Sequence, residues 1–159
     1  MCIVIDTNTI PSVLNPDVSD HYEFRPILDW LDTHKTKIVY GGKTYKEELA
    51  KMPRYYSILV EMRRGGRAKE LDEDSVDRVQ EEVSQKTRHK KFNDQAIVAI
   101  VIVSRCRFVC SNDKRSFPFL RLTTLYPKGR RPNIYTGRRN LRLLYHRHIS
   151  GRCGPCSIC

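Results

Sequence analysis

The chain has 159 residues, room for one ordinary domain and a short extension, and a formal net charge of +11. Its longest apolar run, residues 96–103, is far too short to cross a bilayer. No basic and apolar leader opens it, so a cytoplasmic protein with no membrane partner is expected. The charge is unevenly placed: residues 114–159 hold eleven Lys and Arg and no acid. Such a one-signed segment suits a polyanion, RNA above all, because each neutralised phosphate releases counterions. A solubilising tail and a surface capped by an acidic partner protein are the alternatives.

In chain order, residues 2–5, "CIVI", form a continuous apolar run, which predicts a central parallel strand. Phe24, Ile27, Leu28 and Leu31 then recur at helical spacing, with Pro26 suited to that helix's first turn. "TKIVYGG" predicts a second strand. "KTYKEELAKM" predicts a short helix with Tyr45, Leu49 and Met52 on one side, and "RYYSILVEMRRGG" a further helix. The charged stretch from Lys69 to His89 carries only Val76, Val79 and Val83 as an apolar stripe, as a solvated helix does. "NDQAIVAIVIVSRC" is apolar nearly all round and predicts a buried helix. "RFVCSND" predicts a third strand, "NIYT" a last one, and "RNLRLLYHRHI" a short basic helix. Cys2, Cys106 and Cys110 lie in or beside apolar runs and read as small buried hydrophobes in a reducing compartment. Strands alternating with helices predict an α/β sandwich with a mainly parallel sheet, which gathers its ligands at the strands' carboxyl ends.

Two of the apolar strands end alike, "IVIDTN" and "FVCSND", each placing an aspartate, Asp6 or Asp113, just past the sheet. Asp94 opens the most apolar helix, and Glu48 lies on the helix after the second strand. Four carboxylates at one edge repel one another, and a hard divalent cation with oxygen ligands relieves this. Each acid also has a local explanation: Asp94 as a helix cap, Asp113 in an Asx-turn, Asp6 capping the next turn, Glu48 paired with a nearby lysine.

"IVIDTN", "YKEEL", "NDQAIVAIVI" and "FVCSND", in that order over residues 2–135, resemble the motifs of the PIN domain. This is the nuclease fold of many bacterial toxins of toxin–antitoxin pairs and of RNA-processing enzymes. The resemblance implies a three-layer α/β/α domain over residues 1–137, followed by a basic, cysteine-containing extension over 138–159. It implies that Asp6, Glu48, Asp94 and Asp113 hold one or two Mg²⁺ or Mn²⁺ ions and hydrolyse RNA phosphodiester bonds. Glu47 competes with Glu48; Glu48 is preferred because Leu follows it and because it lies beside the buried face. Asn8 and Ser111 resemble polar positions that hold the carboxylates or a metal-bound water, with Asn112 adjacent. An antitoxin or other acidic partner, or a second copy of the chain, is the implied protein partner. The long basic segment and "LDEDSVDRVQEEV" depart from the family pattern and could serve as clamp, antitoxin groove or dimer surface.

Beyond these, "GRRPNIYTGRR" has the basic-plus-Tyr character of an RNA contact through Arg130, Arg131, Arg138 and Arg139. Cys153, Cys156 and Cys159 have half the spacing of a Zn²⁺ or iron–sulfur site, with a fourth ligand to come from His146, His148, Cys110 or another chain; incidental thiols at a frayed terminus are the alternative. A non-catalytic RNA-binding module built on the basic segment is the rival reading to an endoribonuclease.

Overall fold

Every residue of Cys2–Ile5 (β1) is buried, as it must be for a strand covered by helices on both faces. The computed structural model describes residues 1–33, 36–87 and 92–145. In it β1 is the middle strand of a five-stranded, all-parallel sheet. Lys37–Tyr40 (β2) and Ala68–Glu70 (β3) lie to one side, Phe108–Cys110 (β4) and Asn133–Tyr135 (β5) to the other. The order is β3-β2-β1-β4-β5, so the chain first builds outward from β1 in one direction and later returns to build in the other.

Helices make the connections: Ile10–Leu14 (α1) and His21–Thr33 (α2), then Lys43–Ala50 (α3) and Pro53–Arg64 (α4), then Glu73–Lys86 (α5) and Gln95–Ser104 (α6), and last Phe117–Leu120 (α7). The fold is therefore α/β, a parallel sheet with flanking helices, as the alternation of strands and helices requires. α2 is tied to β4 and β5 through aromatic pairs. Trp30 lies 5.8 Å from Phe108 and Phe24 meets the edge of Tyr135 at 6.1 Å. α6 is buried on nearly all sides, from Ala96 to Val101, which accounts for a helix with no polar face. Cys2, Cys106 and Cys110 are buried in this core.

Several elements differ from the sequence reading, among them the short helices α1 and α7, which it did not contain. β3 was not foreseen, because Ala68 is its only buried residue and stands among charges. α2 begins at His21, so Pro26 is its sixth residue and not in its first turn. The missing N–H falls against the carbonyl of Tyr22, a residue 65% exposed on the solvent side. The basic stretch after β5 is a 3₁₀ segment, Arg138–Leu144, with Leu144 buried against the domain. Its Asn140 amide donates to the Ile134 carbonyl at 2.7 Å and accepts from the Thr136 N–H at 3.1 Å. A side chain thus closes part of the outer edge of β5.

Candidate active site

β1 and β4 are neighbours at the point where the strand order reverses, and their parallel register pairs Ile5 with Cys110. Ligands of open α/β sheets gather at such a point, outside the carboxyl ends. The next residue of each strand, Asp6 and Ser111, follows from that register. The Asp6 N–H continues the pairing to the Cys110 carbonyl at 2.9 Å, and Ser111 Oγ donates to Asp6 Oδ2 at 2.7 Å. Asp6 Oδ1 accepts the Asn8 N–H at 3.1 Å. Asp6 is only 3% exposed. Burial pushes its pKa up, the bonds from Ser111 and Asn8 pull it down, and the charges of Glu48 and Asp113 push it up again.

Glu48 arrives on α3, whose position is fixed on two sides. The Tyr45 hydroxyl donates to the Ile5 carbonyl at 2.5 Å, and Gly42, at φ +79°, lets the helix start pass close to Val76 of α5. Glu48 then accepts a hydrogen bond from Thr7 Oγ1, directly after Asp6. Glu47, one residue earlier, is exposed.

Asp94 stands immediately before α6, but its carboxylate caps none of that helix's N–H groups. It instead accepts a hydrogen bond from Ser116 Oγ. Burial, then the charges of Asp6, Asp113 and Glu48, raise the Asp94 pKa to about 7, with Arg115 acting the other way. All three of the other acids thus bear on this one carboxyl. Asp113 is in the opposite state. The Arg115 guanidinium meets its two oxygens at 3.0 Å each, and the Arg115 N–H adds a bond at 2.9 Å. These contacts hold the Asp113 carboxyl below its usual range.

The four acids singled out in the sequence are therefore electrostatic neighbours around one sheet edge, and Ser111 is among their donors. Asn8 is exposed and contributes its backbone N–H. Asn112 turns aside, its side chain bonded to Thr9 at 3.1 Å and to Asp20 at 3.2 Å. Sequence reading missed Thr7, Arg115 and Ser116. Thr7 belongs to the polar cluster after Asp6. Ser116 and Arg115 sit in the turn after Asp113, where only the folded loop shows which carboxylate each one meets. Of the four arginines assigned to nucleic acid, Arg131 and Arg139 line hollows beside β5. Arg130 faces α6 beside Arg105. Arg138 lies over the Tyr22 ring at 4.4 Å. His146, His148, Cys153, Cys156 and Cys159 lie outside the described residues.

The donor set is all oxygen, with more negative charge than the local cation Arg115 offsets, which is the chemistry of a hard-cation site. Among the described residues no three His, Cys, Asp or Glu side chains already converge as a ligand set. Asp113 is turned to Arg115, Glu48 to Thr7 and Asp94 to Ser116. Comparison of the chain with protein-family models, with curated protein sequences and with solved structures finds no match. No helix among the described residues is long and apolar enough to cross a membrane.

Proposed function

We propose that this chain is a divalent-metal-dependent endoribonuclease, with Asp6, Glu48, Asp94 and Asp113 as the ligands of Mg²⁺ or Mn²⁺. The observation that carries the reading is the gathering of four acids at the strand-order reversal of a parallel sheet, where Ser111 bonds Asp6 across the β1–β4 seam and the charges of Asp6, Asp113 and Glu48 all add to the burial that raises the Asp94 carboxyl. An isolated helix cap has no reason to gather three more carboxylates around it. RNA as substrate rests on the resemblance of the four acidic motifs to PIN nucleases and on the basic segment that follows Asp113. A toxin countered by an acidic antitoxin is the setting that resemblance favours.

When bound, the metal would supply an activated water and offset the charge of the scissile phosphate. The chain's own residues prepare the site. Ser111 and the Asn8 N–H orient Asp6, and Thr7 orients Glu48. Ser116 Oγ donates to Asp94 and so orients the fourth carboxylate, which would join the other three in holding the ion. Arg115 holds Asp113, and its exposed guanidinium would be open to a phosphate at this edge.

The test is cleavage of a mixed pool of end-labelled RNAs and DNAs in Mg²⁺, Mn²⁺ or EDTA, with wild type and Asp6→Asn side by side. Metal-dependent cutting of RNA, lost in Asp6→Asn, is the expected result. Binding without cutting in either protein would move the assignment to the RNA-binding module.

A further inference from the structure

β5 is one of the sheet's two outer strands, and three adjoining hollows run from its amino end to just past its carboxyl end. The first, about 670 Å³, opens beside the carboxyl end and is lined by Lys114, Arg121 and Arg139, with Phe117 at its wall. The second is narrower, about 250 Å³; it shares Arg121 and Asn140 with the first and adds Arg131 and Arg142. The third, about 750 Å³, shares Arg131 and Asn133 with the second and adds Arg107 and Lys128 at the amino end of β5. None of the three is lined by an Asp or Glu. The residue that opens the track, Lys114, directly follows Asp113 of the acidic site.

We propose that these hollows form one track for the phosphate backbone of a single-stranded nucleic acid, leading along β5 to the acidic site. Cations shared between successive hollows form a line, and a line of cations fits a polymer better than it fits one small anion. The succession has the same implication, since the two wider hollows, each of small-ligand size, are connected through the smaller one between them. Arg121 marks the middle of the path: it stacks over Phe117 at 5.7 Å and lines two of the three hollows. Asn140 occupies the Ile134 carbonyl on β5's outer edge and the Thr136 N–H just beyond it, which favours a charged surface over a strand-pairing edge. The purpose of the track rests on the nuclease reading, whereas its binding does not.

The test is fluorescence anisotropy of a labelled 20-nucleotide mixed-sequence RNA with the full chain in EDTA, over a range of KCl concentrations. EDTA separates binding from cutting. Arg121→Glu with Arg131→Glu is compared with Lys69→Glu plus Arg78→Glu, an equal charge change on exposed residues of β3 and α5. Reversal in the track is expected to weaken binding about tenfold or more and to reduce the salt slope by about 1.4, or about 0.7 for each lost phosphate contact. The control pair is expected to stay within about twofold. Arg121→Gln with Arg131→Gln keeps the test decisive if the reversal disturbs folding. Equal losses in track and control variants would overturn the proposal, since net charge alone would then explain binding. Tighter binding of polyglutamate than of RNA would also overturn it, making the track a surface for an acidic protein. Track-dependent binding with no cutting would leave the track standing and remove the nuclease reading. Metal-dependent cutting with unchanged binding in the track variants would do the reverse.

Discussion

Ser111 Oγ donates to Asp6 Oδ2 at 2.7 Å across the seam between β4 and β1, and both residues are buried. The bond is a consequence of register: Ile5 faces Cys110, so the next residue of each strand meets at the sheet's rim. Ser111 also accepts the Asp113 N–H at 3.1 Å, so a single hydroxyl links two of the four acids. Ser111→Ala leaves a buried carboxylate oxygen without its donor. Urea unfolding at pH 7.5 is expected to show a loss of about 1–3 kcal/mol. Cutting should fall as well, because Asp6 would lose its orientation. Unchanged stability would show that Asp6 does not depend on this bond.

Arg115 occupies both oxygens of Asp113 while being 84% exposed itself. An exposed guanidinium can swing away at little cost, so the pair acts as a competitor to any cation that needs Asp113. Arg115→Ala is expected to raise Mn²⁺ affinity several-fold, measured by titration calorimetry on a protein that keeps its fold. If phosphate enters beside Arg115, the same variant should bind RNA less tightly in EDTA. Weaker Mn²⁺ binding would instead make Arg115 a residue that holds Asp113 in place for the ion.

The strands β1, β2 and β4 and the buried helix α6 were legible because each carries its own signal, an unbroken apolar run of the right length. The positions of Asp6 and Asp113 at the sheet edge were legible for the same reason, since each follows one of these strands. What was not legible depends on contacts between distant parts of the chain. β3 exists because Ala68 fits against Ile38 of β2, not because its own three residues favour a strand. The reach of Thr7 to Glu48 requires α3 to be docked by Tyr45. The basic track draws cations from Arg107 to Arg142, and only the path of β5 lines them up. Pro26 misled because a proline favours a first turn, whereas a solvent-facing carbonyl four residues earlier also tolerates it.

Gly42 controls where α3 begins. A Cβ there would lie 2.5 Å from Val76 Cγ1, and the backbone is at φ +79°. Gly42→Ala therefore combines overpacking with a left-handed penalty, and a loss of about 2–4 kcal/mol is expected in urea unfolding. Adding Val76→Ala removes the clash but not the backbone cost, so the double variant should recover part of any shift in Glu48 yet remain less stable than wild type. Full tolerance of alanine would mean that α3 can start elsewhere without disturbing the site.

Asp94 gives the protein a pH dependence of definite sign. Its carboxyl titrates at about 7 in the fold against 3.8 for the ordinary group. Between those values the folded chain holds a proton that the unfolded chain has released. Stability in EDTA should therefore fall as pH rises from about 4 to about 7, and stay low above that. The depressed carboxyl of Asp113 acts with the opposite sign, but only as the pH falls through and below 3.8, outside this window. The full shift corresponds to about 4 kcal/mol, and partial exposure of Asp94 tempers it to an expected loss of about 1–2 kcal/mol. Asp94→Asn removes the titrating group, so this variant should show a flatter profile and exceed wild type in stability at pH 8. Millimolar Mg²⁺ should restore wild type at pH 8 and leave Asp94→Asn unmoved, because the ion compensates the same repulsion that the substitution removes. A flat wild-type profile in EDTA, or a variant less stable than wild type at pH 8, would show that neither burial nor its acidic neighbours strain the Asp94 carboxylate.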